Sequence, residues 1–239
     1  MLGLALLGLA GWIEGPTVVR QVTSLLGLQR VESHAEILRE AARESGLDPC
    51  LLAGVMYVES RGKVGAESSA GALGLLQLMP AAASDAAERL HLPAPTRAVL
   101  LTDARLNARL GANHLKQLFR SLGRDPERVL VAYNAGRGRL LDWERAAGGW
   151  SAWRAKHAER GDSATLAYAQ DVLAFAERFR ERGVVSGAAQ STRRATPGLA
   201  SEVGPPNEVG GAASDPSTPP STAPTTTEGK ASVENRSRP

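Results

Sequence analysis

The chain has 239 residues, room for one domain or two small ones. Its 28 Lys plus Arg against 25 Asp plus Glu leave a formal net charge of +3, too small a surplus for a strongly cationic nucleic-acid binder. A lone cysteine, Cys50, excludes an intrachain disulfide framework and a cysteine-cluster metal site, and 4% aromatic content puts the core on Leu, Val and Ala.

Residues 2–13 read LGLALLGLAGWI. This apolar run is shorter than the roughly 20 residues that a spanning helix needs. It suits the apolar part of an export signal, although no basic residue precedes it and no small-x-small cleavage site follows. Residues 1–29 are therefore read as an export or anchor-like segment with a linker. At the other end no aromatic residue follows Phe179, and eight of the 14 prolines lie between Pro197 and Pro239. Such a composition cannot bury enough apolar area to offset chain entropy. Residues 184–239 are read as a disordered Ser/Thr/Pro-rich tail, and residues 30–183 as one folded domain with a real core.

Within that domain HAEILREAARESG (34–46) has helical apolar spacing and a Gly46 stop. Asp48-Pro49 is a cap followed by proline at the first helical position, so a second helix is predicted from 49 to about 60. Pro80 opens a third, Asp103 caps a longer one, and Asp125-Pro126 starts PERVLVAYNA, stopped by Gly136. A last helix is predicted over 163–182. Between Glu59 and Pro80 the glycines at 62, 65, 71 and 74 break the helical pattern, so this insert is read as turns and extended chain. Trp143, Trp150 and Trp153 are placed in a Gly-rich connection before the last helix, as loop anchors or as faces for a sugar ring. The fold class is mainly α with one small irregular insert.

On the second helix Leu52, Val55 and Met56 form an apolar stripe, and its next position is Glu59. A carboxylate buried there is costly to ionise and tends to keep its proton. A carboxylic acid protonated near neutral pH is what general acid catalysis at a glycosidic oxygen requires. The bland alternative is that Glu59 simply points to water from a helix end. Ser68 and Gln77 add hydrogen-bonding groups to the insert. The four histidines lack metal-ligand spacing, and no metal or other cofactor is expected.

ESRGKVGAESSAGALGLLQLMPAAA, followed about fifty residues later by AYNAGRGR, resembles the soluble lytic transglycosylase (SLT) domain of bacterial cell-wall enzymes. The preceding ILREAARESGLDPCLLAGVMYVES is similar to that family's first two helices. The resemblance implies a lysozyme-like fold and cleavage of the β-1,4 bond between N-acetylmuramic acid and N-acetylglucosamine with a 1,6-anhydro product. It implies Glu59 as acid and then base, with Ser68, Gln77, Met79, Tyr133, Asn134 and Tyr168 as substrate-side residues. Tyr133 is expected to orient the acid. The family's Glu-Thr-Arg-x-Tyr is here Ala164-Thr165-Leu166-Ala167-Tyr168, so its Glu and Arg are missing. The implied partners are peptidoglycan strands and, through the tail, a protein of the envelope or of a secretion apparatus, with no nucleic acid. The implied setting is the periplasm, free or at a membrane, as a monomer. The competing readings are a goose-type-lysozyme-like muramidase and a non-catalytic glycan-binding or scaffold module.

Overall fold

The computed structural model describes residues 23–187. The apolar run at 2–13 and the tail from residue 188 onward lie outside the described residues. The described residues are mostly helical: α1 (residues 23–33), α2 (Ala35–Ser45), α3 (Pro49–Ser60), α4 (Pro80–Arg89), α5 (Arg97–Thr102), α6 (Ala104–Leu122), α7 (Pro126–Ala135), α8 (Arg137–Ala147), α9 (Trp150–Arg160) and α10 (Ala164–Arg182). Among the described residues no helix is long and apolar enough to cross a membrane.

Helix starts follow the predicted caps. Asp48 Oδ1 accepts from the Cys50 amide at 2.8 Å, Asp103 Oδ1 from Leu106 at 2.9 Å, and Asp125 Oδ1 from Glu127 at 3.0 Å. Each side chain satisfies a donor that the first helical turn would otherwise leave unpaired. Gly46 ends α2 in the left-handed conformation, with its amide bonded to the Ala42 carbonyl.

Helix α3 is central. Cys50 through Tyr57 are all buried, so the helix has no wet face until its last turn. A helix apolar all round belongs in a core. Its closest neighbour is α10, and Gly54 is where they meet. A Cβ at Gly54 would lie 2.4 Å from the Val172 carbonyl oxygen, so any side chain there would force the helices apart. The main core gathers α1, α2, α3, α7 and α10 around Leu38, Leu52, Met56, Leu130, Val172 and Phe179. A second, smaller cluster holds Leu73, Leu78, Ala83, Ala86, Ala87, Leu100 and Leu110, from the insert, α4, α5 and α6.

The insert is irregular as expected. Its only paired positions among the described residues are the isolated antiparallel bridges Glu67–Leu73 and Leu73–Leu78. Leu75 and Leu76 point into the main core, Leu73 and Leu78 into the smaller one. Asn107 of α6 holds this loop: its Oδ1 accepts from the Leu76 amide at 2.9 Å, and its Nδ2 donates to the Leu73 and Leu100 carbonyls at 3.0 and 3.1 Å.

Three expectations change. The segment read as a Gly-rich connection forms two helices, α8 and α9, parted by Gly148 and Gly149. Trp153 stacks between Trp143 and Trp150, with ring centroids 5.5 and 5.4 Å away, so the tryptophans anchor one another. The expected boundary at residue 30 falls inside α1, whose Leu28 and Val31 are fully buried. Packing also continues past 183: Val185 is fully buried, and the Val184 carbonyl accepts from Arg39 Nη1 at 3.0 Å.

Candidate active site

Glu59 sits in the last turn of α3, where the central helix leaves the core, and it is partly buried. Burial raises its pKa from 4.5 to about 7. Among the described residues no charged group contributes to that shift, and the one opposing influence is a hydrogen bond from Tyr168 Oη to Glu59 Oε1 at 2.6 Å, which favours the ionised form. With Oε1 committed to that phenol, Oε2 is the oxygen left to carry the proton. Near neutral pH the group divides between acid and carboxylate, the state an acid–base catalyst needs.

Tyr168 comes from the first half of α10, and the close α3–α10 contact at Gly54 brings it to Glu59. Burial and the neighbouring Glu59 charge push the phenol well above its ordinary range, so it stays a neutral donor. Tyr133, on α7, behaves the same way: burial first and the charge of Glu59 second push it up. Its hydroxyl donates to the Leu76 carbonyl at 2.7 Å, tying α7 to the insert. The phenol bonded to Glu59 is therefore Tyr168 and not the expected Tyr133, whose hydroxyl ties α7 to the insert instead. His114 of α6 lies against Tyr133, ring centroids 5.5 Å apart, and burial lowers its pKa, so this imidazole is neutral.

The remaining expected residues divide. Gln77 adopts a positive φ of 47° and spends its amide nitrogen on the carbonyls of Ala66 (3.1 Å) and Gly74 (3.0 Å). Ser68 Oγ accepts from the Ala72 amide at 3.0 Å. Both residues brace the insert. Met79, at the start of α4, is 47% exposed, which for a large apolar side chain leaves a free contact surface. Asn134 is exposed on α7. None of these four touches Glu59 through a hydrogen bond among the described residues. Leu166, where the resemblance puts an arginine, is buried in the core, and Ala164 is exposed at the start of α10. Glu67 pairs with Arg97, and Asp85 is exposed, so neither acts as a second buried carboxyl. Among the described residues no group of three His, Cys, Asp or Glu is assembled to hold a metal.

Asn107 was not anticipated. It lies on the buried face of α6 with Ala108, Gly111 and Leu115. A polar residue on an apolar face is the signal that marked Glu59, and it was available here too.

These features define a class: a mainly helical domain built around one carboxyl held near its protonation midpoint by burial. The chain belongs to the transglycosylase SLT domain family, whose profile matches residues 36–155. It is 29% identical over 114 residues to the soluble lytic murein transglycosylase of Escherichia coli, covering 48% of this chain and 18% of that protein. Its fold is similar to that of a lytic transglycosylase Slt from Pseudomonas aeruginosa, solved as an inactive mutant with glutamine in place of a glutamate. The TM-score is 0.56 and the identity 27%, over 64% of this chain and 24% of that one. It also resembles the 70-kDa soluble lytic transglycosylase of Escherichia coli, with a TM-score of 0.54 and 24% identity over 61% of this chain and 24% of that one. The chain thus spans less than a third of the length of the relatives it matches.

Proposed function

We propose that this domain is a peptidoglycan lytic transglycosylase of the bacterial envelope, working with one carboxyl group. Glu59 gives the proton on Oε2 to the glycosidic oxygen between N-acetylmuramic acid and N-acetylglucosamine, and the bond from that oxygen to C1 breaks. The resulting carboxylate, steadied by Tyr168, takes the proton of the muramoyl C6 hydroxyl. That oxygen then closes on C1 to give a 1,6-anhydro end, and no water is consumed. Two-carboxylate glycosidases need a second acid at a set distance; here the substrate supplies the nucleophile.

The observation that carries this reading is the carboxyl of Glu59, lifted to about 7 by burial and bonded to Tyr168. Family membership and relatives named as murein transglycosylases support the substrate. The relative inactivated by a Glu-to-Gln change supports a mechanism centred on one glutamate. The insert beside Glu59, with Ser68, Gln77 and Met79, and the Tyr133–Asn134 pair on α7 are the proposed glycan contacts.

Mass spectrometry of the products from purified peptidoglycan tests it. The expected ends lack one water relative to hydrolysis products, and Glu59→Gln abolishes release while leaving binding to walls. Ordinary reducing ends would make the protein a muramidase. Wall binding by the wild type with no release would make it a glycan-binding module.

A further inference from the structure

Helix α1 is fixed to the domain by one face and, among the described residues, left uncovered on the other. Leu28 and Val31 are fully buried. The hydroxyls of Ser24 and Tyr57 share a hydrogen bond of 2.9 Å, and Gly27 sits so close to α3 that a Cβ there would lie 3.0 Å from the Tyr57 ring. On the outer face Leu25 and Leu26 stand 51% and 49% exposed, with exposed Gln29 one turn further on. Single exposed leucines are ordinary on a protein surface. Two in succession on an anchored helix make a small apolar surface that gains by leaving water.

Cations border this pair. Arg30 Nε donates to the Leu26 carbonyl at 3.2 Å. Arg30, Arg61 and Lys63 line a recess of about 470 Å³ between α1 and the end of α3, and its wall contains no Asp or Glu. Charge alone does not single out this face, because Arg89, Lys116 and Arg120 line another recess without Asp or Glu, between α4 and α6. No large apolar side chain stands exposed in that second recess, so it offers charge without an apolar surface.

The sequence before α1 adds a constraint of length. Ten residue steps separate Ile13, where the apolar run ends, from Thr23, where α1 begins. At full extension they cover about 35 Å. A domain of this size has a radius of gyration of about 15 Å, hence a width of about 40 Å. With the run seated in a bilayer surface, the start of α1 is held within one domain width of the lipid, and the face bearing Leu25, Leu26 and the three cations is the one nearest to it. Apolar side chains bordered by cations suit an anionic membrane surface.

We infer that the outer face of α1, with Arg30, Arg61 and Lys63 beside it, docks on an anionic lipid surface, Leu25 and Leu26 entering the boundary between headgroups and acyl chains. Glu59 lies at the same end of α3 as Arg61. Docking therefore holds the acid on the membrane side of the domain and directs the proposed cleavage at the glycan strands closest to the bilayer.

The test places an environment-sensitive dye on the full chain at one introduced cysteine, either Gln29→Cys beside the leucines or Gln117→Cys in the α4–α6 recess. The native Cys50 is buried and stays unlabelled. Vesicles of phosphatidylcholine mixed with phosphatidylglycerol are expected to shift the emission at position 29 to the blue and to bring it within reach of a quencher on the acyl chains. The effect is expected to weaken in phosphatidylcholine alone and at high salt, while the label at position 117 reports water throughout. Arg61→Ala with Lys63→Ala is expected to raise the lipid concentration at half-maximal shift about tenfold or more, and Leu25→Ser with Leu26→Ser to abolish the shift. Equal shifts at both positions would mean attraction by charge alone. Sedimentation with vesicles but no shift at position 29 would mean that the apolar run holds the chain by itself. Either result overturns the inference, as does a full chain that stays free of anionic vesicles or a leucine double variant that shifts like the wild type. Glu59→Gln is expected to dock unchanged, so a failure of the catalytic proposal is read separately, from the wall products.

Discussion

Replacing Glu59 with glutamine is expected to change how the stability of the fold depends on pH. An unfolded chain titrates this group near 4.5, the folded one near 7, because burial disfavours the charge. The folded state therefore holds the proton more tightly. The site's contribution to stability is complete below about pH 4.5 and is lost as pH rises through 7. The separation of 2.5 units corresponds to about 3 kcal/mol in all, an upper figure because Glu59 keeps some contact with water. Between about pH 5 and about pH 8.5 the share lost is about 2.5 kcal/mol. Glutamine has nearly the same shape, can accept the Tyr168 hydrogen bond and does not titrate. Urea unfolding of both proteins at both pH values isolates the effect, since every other titrating group cancels. The wild type is expected to fall relative to Glu59→Gln by about 2.5 kcal/mol on going to the higher pH. Parallel curves would mean that Glu59 ionises like an exposed acid, and the reasoning about its proton would be refuted.

Tyr168→Phe removes the hydrogen bond that favours ionised Glu59, so the Glu59-dependent limb of the pH–rate profile is expected to move to higher pH, with a rate loss of about tenfold or more at neutral pH. Asn107→Ala leaves the Leu73 and Leu100 carbonyls and the Leu76 amide without their partner, and thermal unfolding is expected to report a loss of about 2–4 kcal/mol. Gly54→Ala puts a methyl group against the Val172 carbonyl. It is expected to cost about 1–3 kcal/mol by denaturant unfolding and to loosen the Tyr168–Glu59 bond, seen as lower activity in whatever protein still folds.

Much of the helical order was legible because its signals are local. Asp-Pro pairs at 48–49 and 125–126, the Gly46 and Gly136 stops and the Asp103 cap act within one turn of themselves. Helices α8 and α9 were not legible because little of either is buried: Leu140 and Glu144 in one, Trp153 in the other, and a Gly-Gly step between them. Their stability comes from long-range pairings such as Arg128 with Glu144, at 2.6 and 2.7 Å, and Trp150 Nε1 with Asp125 Oδ2 at 2.6 Å. At the site, the stripe argument reached Glu59, yet α3 is apolar on every face until its end. What identifies Glu59 is its place at the exit of a fully buried helix. The Tyr168–Glu59 bond spans 109 residues of chain and depends on how two helices cross, which no local pattern encodes.

The division of the interior into two packed clusters has an evolutionary consequence. The acid and its phenol stand on the larger cluster, through α3 and α10, whereas α4, α5 and part of the insert rest on the smaller one. Substitutions among Leu73, Leu78, Ala83 and Leu100 can therefore remodel the terrain beside the carboxyl while the Tyr168–Glu59 pair keeps its own support on the larger cluster. For the proposed enzyme this means that glycan preference can drift through the smaller cluster, whereas a change at the α3–α10 crossing removes the Tyr168–Glu59 bond on which the proposed chemistry depends.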